Sequence, residues 1–306
     1  MPRKSRKLLA FLSFICLLAG CRQASTPTAS KYPEKTFPVR GKVIATDASH
    51  VTLDHEAVPG FMDAMTMPYK VKDPMALTEL HPGDRITARI VVSQDAAGPR
   101  DPELDNIVVT AQARPDYKPA VQYHVPNPGD SVPDFHFRNQ SDRVIRLSQF
   151  KGKAVLINFI YTRCPMADFC PRMSRNFADI DKALNADPTL RDQTHLISIS
   201  FDPAYDTPKV LRSYGGAYTG QYTNEKFLHW DFAAPSEKDL PAVTQFFNVG
   251  VTGTDPRTIT HSLSTILMDK DGKIAAWYPT NDWDPKEVLA QVKKTAAAPN
   301  GSPSGQ

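Results

Sequence analysis

Two kinds of apolar patterning divide this chain. Between Val39 and Thr110, apolar and polar residues alternate over four short stretches, Val39–Ala45, Val51–His55, Arg85–Val91 and Asn106–Thr110. A period of two suits strands with one buried face, and several such strands in one small segment predict a closed all-β barrel of the OB-like kind.

Beyond residue 130 the apolar runs are longer. Val132–Arg138 and Arg143–Leu147 read as a hairpin around Asn139-Gln140-Ser141-Asp142. Val155–Tyr161 is almost continuously apolar, the pattern of a strand covered on both faces. Met173, Phe177, Ile180 and Leu184 then recur at helical spacing. His195–Phe201 is a second buried strand, and helical stretches near Lys209–Tyr214 and Ser236–Phe247 flank a strand at Phe227–Phe232. Thr260–Met268 and Lys273–Tyr278 enclose Asp269-Lys270-Asp271-Gly272, a strong hairpin signal, and a helix near Pro285–Lys294 closes the chain. Strands alternating with helices predict an α/β domain with helices on both faces of a sheet.

Composition supplies the boundaries. With 27 prolines in 306 residues the chain has room for long connectors. Residues 113–129, with Pro115, Pro119, Pro126 and Pro128, read as a stiff linker between a barrel at 39–112 and an α/β domain at 130–296. Residues 21–38 read as a flexible tether, and residues 297–306 as a disordered tail. At the start, Arg3, Lys4, Arg6 and Lys7 precede an apolar run from Leu8 to Ala19, shorter than the roughly 20 residues of a spanning helix. Residues 1–20 are therefore read as a signal peptide. Leu18-Ala19-Gly20-Cys21 resembles the lipobox of bacterial lipoproteins, which implies acylation of Cys21 after cleavage and a place in the cell envelope, facing the periplasm or exterior. Loss of residues 1–20 removes four basic groups, leaving 32 basic against 33 acidic residues, so the basic balance of the full chain implies no nucleic-acid partner.

Candidate chemistry collects at two places. The strand ending at Tyr161 runs into Thr162-Arg163-Cys164-Pro165-Met166-Ala167-Asp168-Phe169-Cys170-Pro171 ahead of the helix. Pro171 suits the first helical position, which makes Cys170 the N-cap and leaves Cys164 in the preceding turn. Near the positive end of a helix a thiol is favoured as thiolate, the form that attacks disulfides and binds soft metals. Five residues separate the cysteines, so this is no C-x-x-C motif, and a plain disulfide stapling the loop fits the same spacing. The second place is the barrel. Met65 and Met67, two apart, share one face of a strand, and His55 at the end of an earlier strand can approach them. Two thioethers and an imidazole suit Cu(I) or Ag(I), and equally the methionines could simply fill the barrel.

The run His55 to Tyr69, above all Ala64-Met65-Thr66-Met67, resembles the CusF-like periplasmic copper-binding domain. The resemblance covers residues 39–112 and implies His55, Met65 and Met67 as copper ligands. Met62 stands where well-known members carry a tryptophan over the metal, and is either a further ligand or a lid. Residues 130–296 are similar to the Sco/SenC family of thioredoxin-like proteins that deliver copper to the CuA centre of cytochrome c oxidase. The residues that carry this are Gly152-Lys153, Tyr161-Thr162-Arg163-Cys164-Pro165, Ser200-Phe201-Asp202-Pro203 with Asp206-Thr207-Pro208, and Thr260-His261-Ser262 before Asp269-Lys270-Asp271-Gly272. That resemblance implies Cys164, Cys170 and His261 as copper ligands, although members usually space the cysteines C-x-x-x-C.

The expectation is a copper metallochaperone outside the cytoplasm, lipid-anchored to a membrane. It would carry Cu(I), or Cu(II), to the CuA-bearing subunit of cytochrome c oxidase or another cuproprotein. The rival expectation is an enzyme: a thiol–disulfide oxidoreductase in which Cys164 attacks a disulfide of an apo-cuproprotein and Cys170 resolves the mixed disulfide.

Overall fold

The computed structural model describes residues 34–95, 98–100, 102–114, 123–252 and 259–299. The signal peptide, Cys21 and most of the tether lie outside them, as does the middle of the linker.

Five strands form the first part: β1 (Lys35–Thr46), β2 (His50–His55), β3 (Met65–Val71), β4 (Arg85–Val92) and β5 (Glu103–Ala111). They close in the order β1-β2-β3-β5-β4, because β1 is long enough to pair with β2 through its second half and with β4 through its first. A register shift between Val43 and Ala45 bends β1 around that corner. The tether expected to reach residue 38 ends earlier. Lys35–Pro38 already pair with Val92–Arg89, and Phe37 stacks on Phe61 with ring centroids 4.6 Å apart. Val43, Val51, Leu53, Tyr69, Ile86, Ile90 and Leu104 fill the barrel.

The second part is built on a seven-stranded sheet. Its strands are β6 (His136–Asn139), β7 (Val144–Arg146), β8 (Ala154–Ile160), β9 (Thr194–Ser200), β10 (Trp230–Ala234), β13 (Thr265–Met268) and β14 (Ile274–Tyr278), with a separate small ribbon of β11 (Val251–Thr252) and β12 (Thr260–His261). Across the sheet the order is β14-β13-β8-β9-β10-β6-β7. β8, β9 and β10 run parallel at the centre, and a hairpin lies antiparallel on either flank. Every residue of β8 is buried, which is why that segment has no polar stripe. The helices are α1 (Cys170–Asn185), α2 (Pro188–Gln193), α3 (Pro208–Thr219), α4 (Leu240–Phe246) and α5 (Pro285–Ala297). α1 turns Met173, Phe177, Ile180 and Leu184 inward, each burial worth roughly 1.5–3 kcal/mol. Central parallel strands, flanking hairpins and covering helices make this a thioredoxin-like α/β fold behind a small barrel of OB-like strand order.

The two parts touch. The backbone of β3 meets the chain just ahead of β11 so closely that a Cβ on Gly250 would lie 1.6 Å from the Thr66 carbonyl oxygen. Asn248 Nδ2 donates to Thr52 Oγ1 at 3.5 Å, and Arg100 Nη1 donates to the Asp282 carbonyl at 2.9 Å. The described end of the linker is docked too. His124 has its Nε2 2.9 Å from Asp130 and its Nδ1 2.9 Å from the Phe246 carbonyl.

Beneath the sheet lies a buried polar network. His195 Nε2 is 2.9 Å from Asp231, which also accepts from Asn139 and Gln140. His229 is bonded at both ring nitrogens, to Asp181 and to Thr194 Oγ1. Burial lowers the pKa of His195. For Asp231, burial acts to raise the pKa, but the hydrogen bonds and charge of its partners leave it below the ordinary value. Unfolded His195 takes up a proton near 6.5 while the folded residue stays neutral, so acidification below that value favours the unfolded chain. The depressed Asp231 acts in the same direction at lower pH, losing its contribution as it protonates. The urea midpoint is therefore expected to fall as pH drops below 6.5, and to fall less steeply in His195→Gln. Equal slopes in the two proteins would remove His195 from the account.

Candidate metal centres

The loop after β8 is fixed from below. Thr162 donates through both its backbone N–H and its hydroxyl to Asp206, which also accepts from Ser200 Oγ. Burial raises the pKa of Asp206. Arg163 reaches Asp202 at 2.6 Å and lies over the Tyr205 ring at 3.7 Å. The segment Asp202–Asp206 therefore clamps the residues just before Cys164. No spacing rule announces this role, although the Ser-Phe-Asp-Pro and Asp-Thr-Pro motifs mark its place.

α1 begins one residue earlier than the proline suggested. Phe169 is the N-cap, Cys170 the first helical residue, and Pro171 follows it. The shift comes from the long loop: the Asp168 carbonyl is held by Asn281 Nδ2 at 3.1 Å, and Phe169 turns its ring edge to His261. Cys170 is fully buried and Cys164 half-buried, and both thiols are free.

His261 completes the cluster. Its strand β12 pairs with β11, Val251 opposite His261, and so sits apart from β13, although the sequence reads Thr260–Met268 as one strand. The His261 Nδ1–H donates to the Ser262 carbonyl at 2.9 Å, which leaves the Nε2 lone pair pointing inward, 3.5 Å from Cys170 Sγ. The two sulfurs and a ring nitrogen all lie within 4.8 Å of one another. Tyr161 and Phe201 pack on the imidazole with centroids at 5.5 and 4.6 Å, excluding water from one side.

The thiols are unequal. A hydrogen bond from Cys170, assisted by His261 against the cost of burial, pulls the Cys164 pKa down to about 4. Burial, with the neighbouring Cys164 sulfur, pushes Cys170 up. One sulfur is a ready thiolate and the other a protonated partner behind it.

In the barrel, Met65 and Met67 are both buried on β3, and His55 lies directly opposite Met65 in the β2–β3 pairing. His55 repeats the arrangement of His261. Its Nδ1–H donates to the Glu56 carbonyl at 2.7 Å, and its buried Nε2 has no partner. Burial lowers its pKa, so the ring is held neutral. Met62 is half-buried, with its sulfur 3.5 Å from the Tyr69 hydroxyl.

A family model described as SCO1/SenC matches residues 125–297, more than half of the chain. The chain belongs to the SCO1/SenC family. Residues 36–98 match a second model, described as copper binding periplasmic protein CusF. The SCO1 protein homolog of Bacillus subtilis is 28% identical over 169 residues, 54% of this chain and 82% of its own. Among solved structures, a SCO1/SenC family lipoprotein of Bacillus anthracis is similar at 23% identity and a TM-score of 0.47, over 56% of this chain and 98% of its own. Bradyrhizobium japonicum ScoI with copper bound is similar at 24% identity and a TM-score of 0.44, over 55% and 99%. The chain thus joins an SCO1/SenC part to a segment that matches a periplasmic copper-binding model. No helix among the described residues is long and apolar enough to cross a membrane.

The SCO1/SenC part should show its thiol asymmetry directly. Alkylation of the apo chain by iodoacetamide is expected to mark Cys164 with an apparent pKa near 4, while Cys170 resists until the protein unfolds. Mass mapping of the labelled peptides reads this, and equal labelling of both cysteines would contradict it.

Proposed function

We propose that this SCO1/SenC protein is an extracytoplasmic copper metallochaperone. It holds Cu(I) at Cys164, Cys170 and His261, holds a second ion at His55, Met65 and Met67 with Met62 at its edge, and delivers copper to the CuA-bearing subunit of cytochrome c oxidase. Cys21 anchors it to the membrane. The observation that carries the reading is the approach of two sulfurs and an imidazole nitrogen to within 4.8 Å of one another. Two thiolates and one imidazole form a soft three-donor set, suited to Cu(I) and short of the four protein ligands of structural zinc. The same sulfur and nitrogen donors accept Cu(II) when oxidised copper is supplied. Delivery proceeds as the recipient's sulfurs and imidazoles replace these ligands in turn, and the half-exposed Cys164 is the ligand an incoming group reaches first.

The inequality of the thiols supports a second reading, thiol–disulfide exchange. The Cys164 thiolate would attack a disulfide of an apo-cuproprotein, forming a mixed disulfide and releasing one partner thiolate. Cys170 would then lose its proton, attack Cys164 Sγ and release the second, leaving the chain oxidised and its partner reduced.

Anaerobic Cu(I) titration of the full chain tests the first reading. The wild type is expected to bind one ion at each centre, and Cys164→Ser to keep only the barrel's. X-ray absorption of that variant should show thioether and imidazole neighbours without thiolate. Undiminished stoichiometry in Cys164→Ser would remove the cysteine pair from copper binding.

A further inference from the structure

Met65 of the barrel set and Cys164 and His261 of the thiol set open onto one space. Met62 and Met65 of the barrel and Cys164, Met166 and His261 of the SCO1/SenC part line a single cleft of about 730 Å³. β3, which carries Met65 and Met67, comes within 8 Å, Cα to Cα, of β12, which carries His261. The contact that holds the two walls together runs through the same residues: Thr66, between the two methionines, rests on Gly250, one residue before the Val251 that pairs with His261.

Two further thioethers line this cleft, Met62 packed half-buried against the barrel core and Met166 outside both cores. Met62 is half-buried at the barrel's rim. Met166, in the cysteine loop, is 55% exposed and lines the same cleft. Thioethers are neutral, soft donors that bind and release Cu(I) without a proton, as a transient ligand must.

We infer that Cu(I) passes from the barrel to the cysteine pair inside this cleft, with Met62 and Met166 as transient ligands, and without entering bulk solvent. The inference rests on the copper-handling function proposed above. Copper stays Cu(I) throughout. Each new copper–sulfur bond forms as a thioether or imidazole bond breaks, Cys164 enters as a thiolate, and Cys170 gives its proton to water as its sulfur binds. Direction follows from donor strength: neutral thioethers hold the ion more weakly than two charged sulfurs. Gly250 sets the width of the gap, since any side chain there must push the Thr66 backbone away.

The test uses the full chain. With Cys164 and Cys170 oxidised to a disulfide, one equivalent of Cu(I) is loaded on the barrel. A phosphine then reduces the pair in the presence of an excess of a mass-tagged acceptor chain carrying His55→Ala, Met65→Leu and Met67→Leu. Native mass spectrometry shows which chain holds the ion, and thiolate-to-copper absorption shows that it has left the thioethers. The wild type is expected to keep its copper against the excess, at least about tenfold beyond the share set by abundance. Met166→Leu, at an exposed position, should send copper to the acceptor, with the Cu(I) affinity of each site in the variant measured alongside. Gly250→Val should do the same by parting the walls. Distribution by abundance in the wild type, or full retention by Met166→Leu, would overturn the route. Failure of the barrel to load, or of the reduced pair to bind Cu(I) from any source, would instead overturn the copper reading itself.

Discussion

The thiol centre depends on one hydrogen bond, from His261 Nδ1–H to the carbonyl of the next residue, Ser262. An imidazole free to choose its tautomer would present a proton to the sulfurs half of the time. Pinned through Nδ1, it offers them a lone pair. His55 solves the same problem in the same way, through the carbonyl of Glu56, although it stands in an unrelated fold. In both cases a polar nitrogen is buried, a cost the fold sustains by supplying the backbone acceptor and packing aromatic rings around the imidazole.

The two centres differ in charge rather than in softness. The barrel offers thioethers and a neutral ring, so its donors need no deprotonation. The cysteine centre divides its labour between a half-buried, strongly acidic thiol and a fully buried, weakly acidic one. The lengthened loop is compatible with this because its extra residues are used. Phe169 caps α1 and covers His261, and Asp168 is tied down by Asn281.

Much of this was legible in the residue pattern. The buried strand β8, the inward stripe of α1, both flanking hairpins and the barrel strands follow from periodicity, because each buries one continuous surface. Local exceptions escaped it. Periodicity places Phe227 in a strand that begins only at Trp230, because Phe227 has a positive φ of 53° and its N–H is taken by the Glu225 side chain. α2 is too short to carry a period, and α4 starts at Leu240 because Ser236 and Asp239 form a turn of their own. The cysteine and histidine donors were legible through motif resemblance, their mutual distance was not. Least visible was the docking of the barrel. The sequence suggests modules on a leash, whereas the structure seats Thr66 on Gly250, a contact between residues far apart in the chain that leaves no local trace.

The polar network under the sheet bears on selectivity. His229 and His124 each have both ring nitrogens engaged, and His195 is tied to Asp231 while stacked on Phe150. An imidazole spent in this way cannot recruit a wandering zinc or nickel ion without breaking the fold around it. Three of the chain's eight histidines are thus locked into architecture, and misplaced cations find fewer places to lodge.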